Sequence, residues 1–65
     1  MKIYHKGFLY ADIDKFKNGK NDWEVVERDG FGNIRAVWRN MVFSIAVQAK
    51  RQHIAEIKQL LKGDL

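Results

Sequence analysis

The chain has 65 residues, 12 Lys plus Arg against 8 Asp plus Glu, and neither Cys nor Pro. That length holds one domain at most and excludes a two-lobed enzyme, a dinucleotide-binding unit with its partner domain, or a barrel. Without Cys there is no disulfide framework and no thiolate metal site, while 46% hydrophobic residues suffice for a core.

The chain reads as extended over residues 3–16. Leu9, Ala11 and Ile13 alternate against Phe8, Tyr10 and Asp12, the period of a strand. Gly7 reads as a bulge or bend within that strand. Lys17 to Asp22 is a polar turn in which Asn18-Gly19 is a strong hairpin signal. Residues 23–28 form a second strand with Trp23 and Val25 on one face. Asp29 to Asn33, with two glycines, is a second turn. Residues 34–39 form a third strand, with Ile34, Ala36 and Trp38 on one side and Arg35, Val37 and Arg39 on the other. The expected sheet is a three-stranded antiparallel meander over residues 1–39.

From residue 40 to 63 the period becomes helical. Asn40 or Ser44 is the expected N-cap, and Gly63 stands where a glycine ends a helix. On the wheel Phe43, Ala46, Val47, Ile54, Ile57 and Leu61 share one face. A helix of about 30 Å at 1.5 Å per residue is longer than a six-residue strand of about 20 Å. It is therefore expected to overrun its sheet. Lys50 falls inside the apolar arc. It either snorkels at the sheet edge, pairs with a strand carboxylate such as Asp12, Glu24 or Glu27, or contacts a ligand. His53, one turn on, reads as a boundary residue before it reads as a ligand or base. The fold class is α+β, a single domain of residues 1–65.

Catalytic chemistry finds little footing. Ser44 is the single Ser, Thr and Cys are absent, and His5 and His53 have no acid beside them in sequence. Asp12 and Asp14 begin a stretch that superficially resembles a calcium loop. However, Phe16 and Val25 occupy positions where that loop needs ligands. Gly30-x-Gly32 lacks the further residues of a phosphate-cradling loop. The expectation is a protein that is not an enzyme, with no metal and no cofactor.

Charge is uneven along the chain. Residues 1–33 carry six basic and six acidic groups; residues 34–65 carry six basic and two acidic, the whole net +4. Arg51, Lys58 and Lys62 lie within about 40° on the helix wheel, and Arg35 and Arg39 project from the third strand. These five residues are the candidate nucleic-acid contacts, arranged to meet phosphates. The aromatic supply also exceeds what one small core hides. Tyr10, Trp23, Phe31, Trp38, Ile45 and His53 are therefore the candidate protein-interface residues. Antiparallel pairing of two helices through Ile45, Ala49, His53 and Leu60 would make a homodimer. Lys2, His5 and Lys6 are not followed by the apolar stretch of a signal peptide, and no run reaches the roughly 18 apolar residues of a span. A cytoplasmic location without a membrane partner is expected.

Trp23-Glu24-Val25-Val26, the Arg28-Asp29-Gly30 turn, Ile34–Arg39 and Phe43-Ser44 followed by Ala46, Ala49 and Lys50 carry a resemblance in element order. Together they resemble the three-stranded-sheet-plus-helix DNA-binding module of phage-type tyrosine integrases. That resemblance implies DNA contact through the sheet, by Arg28, Arg35 and Arg39. The family's threonine-rich strand ahead of the helix is absent. The order also resembles the C-terminal part of double-stranded-RNA-binding domains, without their first helix. In size and style the chain is similar to stand-alone small proteins of phages and mobile elements, anti-CRISPR proteins among them. The expected function is a binding module for nucleic acid or a nucleic-acid-handling complex. The alternative is a dimeric protein–protein inhibitor or adaptor directed at a host protein.

Overall fold

The computed structural model describes residues 1–63 and shows an α+β fold of four strands and one helix: β1 (Lys2–His5), β2 (Phe8–Gly19), β3 (Asp22–Asp29), β4 (Ile34–Met41) and α1 (Phe43–Lys62). The strands form one antiparallel sheet in the order β1-β2-β3-β4. The meander therefore has four strands instead of three, and it runs to Met41 instead of residue 39. The helix is bounded by Phe43 and Lys62. The last two positions of the expected 1–65 domain, Asp64 and Leu65, lie outside the described residues.

The extra strand comes from the Lys6-Gly7 pair. Both residues have positive φ, 52° and 85°, the backbone of a tight two-residue hairpin. Gly7 is thus a turn and not a bend inside a strand. At the next turn, β2 continues through Asn18-Gly19, and the reversal falls on Lys20-Asn21, with Asn21 at φ 59°. Asn18 is the extra residue of a bulge in the register. Its amide donates to Glu24 Oε2 at 2.7 Å. In the third turn Asp29 Oδ1 accepts the backbone N–H groups of Phe31 and Asn33 at 2.9 and 3.0 Å. These bonds, that from Asn33 foremost, hold the Asp29 pKa below its ordinary value against some desolvation. A Cβ at Gly30 would collide with the Leu9 carbonyl oxygen, so this turn needs glycine.

Two bulges move side chains off the alternation read in the sequence. Ile3 pairs with Ala11 but Tyr4 with Leu9, leaving Tyr10 as the extra residue. Glu27 pairs with Ala36 but Arg28 with Ile34, leaving Arg35 extra. A bulge shifts the facing of everything beyond it. Ile34 therefore leaves the face of Ala36 and Trp38 and is 56% exposed.

The helix crosses β1, β2 and β3. Ile3, Ala11, Ile13 and Val25 of the sheet meet Ala46, Ile54 and Ile57 of the helix. Ile13 and Val25 are fully buried, each contributing about 1.5–3 kcal/mol by burial. Trp23 packs edge-on to Phe43, centroids 5.0 Å apart, and Trp38 stacks on His53 at 3.8 Å. The sheet is longer than the six-residue strands read from sequence: β2 has 12 residues and spans about 40 Å against the helix's roughly 30 Å. The helix starts without the expected cap. Val42 is the N-cap and makes no side-chain bond. Asn40 instead sits in β4 at φ 61°, turning the strand sharply toward the helix. Ser44 lies inside the first turn of α1.

Candidate functional site

A groove of about 560 Å³ runs along the free edge of β1, between that strand and the C-terminal turns of α1. Four lysines line it: Lys2 and Lys6 from β1 and its turn, Lys58 and Lys62 from the helix. All four are exposed, and His5 and Tyr4 complete the strand side. Among the described residues no Asp or Glu lines it. The arrangement follows from local rules. Lys58 and Lys62 are i, i+4 neighbours on one helix face, while the Lys6-Gly7 turn folds β1 back along β2 so that its outer side faces solvent.

A smaller hollow of about 380 Å³ adjoins the groove, sharing His5 and Leu61 and adding Tyr10, Leu60 and Gly63. A third hollow shares Tyr10 with it and is lined also by Phe8 and Leu9 at the start of β2, by Asp29, Gly30 and Phe31 of the β3–β4 turn, and by Arg35. Phe8 is 79% exposed and Phe31 93%. One pole of the molecule thus combines four lysines with no Asp or Glu lining their groove among the described residues, exposed aromatic rings and an apolar hollow. Cations gathered in a concave surface focus potential and raise the local concentration of anions.

At the other end of β1 the charges are paired. The Met1 ammonium lies 3.5 Å from Asp12 and 3.0 Å from Asp14, and Lys50 Nζ lies 3.4 Å from Asp14. Desolvation works to raise the Asp14 pKa, but these two cations outweigh it and hold it below the ordinary value. Lys50 therefore pairs with a strand carboxylate, at Asp14 and not at the residues named from sequence.

The five basic residues picked from sequence do not form one surface. Lys58 and Lys62 line the groove. Arg51 is exposed about 10 Å up the helix from Lys58. Arg35 and Arg39 belong to β4, the opposite edge of the sheet, whose backbone is about 14 Å from β1 at the usual strand spacing, although the Arg35 head group reaches back to β2. Arg35 lies 3.3 Å from Glu27, donates to the Tyr10 carbonyl at 2.6 Å and covers the Tyr10 ring at 4.8 Å. Arg39 lies 3.6 Å from Glu24. Arg28, implicated by the integrase resemblance, donates to the Gly32 carbonyl at 2.8 Å. The three strand arginines are thus each occupied within the fold.

The candidate interface residues divide in the same way. Tyr10, Trp23 and Trp38 pack against the core. His53 stacks on Trp38, with its Nδ1 3.6 Å from Glu56. Phe31 and Ile45 are exposed. In the expected dimer stripe, Ala49 and His53 turn to the sheet, while Ile45 and Leu60 are exposed near opposite ends of the helix. These four residues therefore do not form one exposed stripe. Sequence reasoning missed Lys2, His5 and Lys6. The available signal was that these three precede the first acidic residue, Asp12; half-chain totals averaged it away.

Among the described residues no group of three or more His, Asp or Glu side chains is placed to hold a metal, and no helix is long and apolar enough to cross a membrane. No family model, no curated protein and no solved structure matches the chain.

Proposed function

We propose that the protein is a small non-enzymatic binding module for nucleic acid, which it holds in the groove between β1 and the end of α1. The observation that carries this reading is the convergence of Lys2, Lys6, Lys58 and Lys62 on one concave surface without a described carboxylate among them. Structural lysines are ordinarily matched or dispersed, whereas a polyanion rewards their clustering by releasing condensed counterions. Arg51 extends the cationic track along the helix, while Arg35 and Arg39 support the fold.

The test is fluorescence anisotropy of the protein against labelled mixed-sequence nucleic acid, single-stranded and duplex, at about 50 and 200 mM salt. With four phosphates engaged, the logarithm of affinity falls against the logarithm of salt with a slope of about −3 to −4. Absence of binding to both probes at low salt rejects the reading.

A protein partner is the second reading, favoured by Phe8 and Phe31 standing exposed together at one pole. Such binding would tolerate salt and weaken on Phe31→Ala. An inhibitor or adaptor role belongs to this reading.

A further inference from the structure

We infer that the groove selects an unpaired strand over a duplex, with Tyr4 as a stacking platform for a base. This rests on the nucleic-acid reading above and adds what that reading leaves open, the form of the nucleic acid. Three observations carry it.

Tyr4 lines the groove at the free edge of β1 and is 62% exposed; it alternates with the buried Ile3, so it stands with Lys2 on the side of that edge away from the helix. Every base has a face able to stack on such a ring, but only when it is out of the duplex. Second, the neighbouring hollow gives a flipped-out base somewhere to go. Its walls are His5, Tyr10, Leu60 and Leu61, mostly apolar, and Tyr10 is held in place by Arg35 over its ring and at its carbonyl. A duplex keeps its bases inside and has no use for that space. Third, the two surfaces are adjacent, sharing His5 and Leu61. A backbone laid along the free edge of β1 would therefore have Lys58, Lys62 and the hollow on its helix side and Lys2 and Tyr4 on the other. The free side of β1 adds outward-facing backbone donors along the same path.

Away from its β1 edge, the outer sheet face is a poorer seat for a duplex. Asp12, Asp14 and Glu24 stand on the side of the sheet that also carries Arg28 and Arg39, so a phosphate backbone laid across it meets both signs of charge.

The experiment compares a labelled DNA strand of about 12 nucleotides, within the usual 4–16 of small single-strand sites, with its own duplex at low salt. It uses the whole chain and the variants Tyr4→Ala, Tyr4→Phe, and Lys58→Glu with Lys62→Glu. The single strand is expected to bind at least about tenfold tighter than the duplex. Tyr4→Ala is expected to lose about 30-fold on the single strand, the middle of the range for one stacked base. Tyr4→Phe, which keeps the ring, should retain affinity. Circular dichroism confirms that each variant folds, and exposure of Tyr4 makes this the expected result. If the duplex binds as tightly as the strand, or if Tyr4→Ala binds the strand unchanged while the lysine variant fails, the single-strand inference is wrong and the groove reading survives. If neither probe binds the unaltered protein, the groove reading itself falls and takes the inference with it.

Discussion

The two edges of the sheet carry cations in similar number and use them oppositely. On β4, Arg35 and Arg39 each lie within 4 Å of a β3 carboxylate, Glu27 at 3.3 Å and Glu24 at 3.6 Å. On β1, Lys2 stands opposite Asp12 in the ladder, yet Asp12 turns to the Met1 ammonium, and Lys58 and Lys62 add to the same side. A count of basic residues would rank the edges as equals. What separates them is where the acids of the neighbouring strand point. A charge already matched within the fold contributes to holding the fold, and an unmatched one is available to a partner.

The sharpest way to break this contrast is to reverse charge on each edge in turn. Lys58→Glu with Lys62→Glu should weaken nucleic-acid binding on the order of 100-fold and flatten the salt slope by about 2. Its urea unfolding midpoint should stay in place. Were Arg35→Ala with Arg39→Ala to weaken binding equally, the distinction between edges would be lost. A smaller effect is expected on stability at the β4 edge. Arg35→Ala strands Glu27, a carboxylate 8% exposed, and should cost about 1–3 kcal/mol in urea denaturation, with a far smaller loss of affinity than the lysine pair.

Acid titration probes the paired end of β1. Because the folded pKa of Asp14 lies below its ordinary 3.8, its contribution is fully present above that value and disappears as pH falls through the folded one. Asp14→Asn should therefore lose stability near neutrality and show a shallower decline below about pH 4. An unaltered acid limb in urea melts between pH 2 and 6 would show that the Met1 and Lys50 contacts carry no weight. The smallest effect belongs to Arg39→Ala. Arg39 is 70% exposed, and solvent screening leaves such a pair worth about 0.5 kcal/mol or less.

The fold class was legible in sequence because periodicity changes so cleanly at residue 40, from two to 3.6. The helix face was legible for the same reason: Ala46, Ile54 and Ile57, placed together on the wheel, are the buried residues of α1. The missing strand was hidden because Lys6 occupies a left-handed turn position usually signalled by Asn, Asp or Gly. Ile34 and Arg35 were misplaced because a bulge depends on the partner strand's register and leaves no mark in the alternation itself. The cap failed because Asn40 was taken up by the corner between β4 and α1. Half of the candidate groove, Lys58 and Lys62, was visible on the helix wheel. The other half was not, since bringing Lys2 and Lys6 beside them depends on the Lys6-Gly7 turn that creates the edge strand.

The placement of the two tryptophans divides what light can report. Trp23 sits against Phe43 and Trp38 against His53, both on the β3–β4 side of the sheet–helix seam, and neither lines the lysine groove. Indole emission therefore follows the closing of the seam. Because neither ring lines the groove, a labelled probe placed there and the indole emission report on different parts of the molecule.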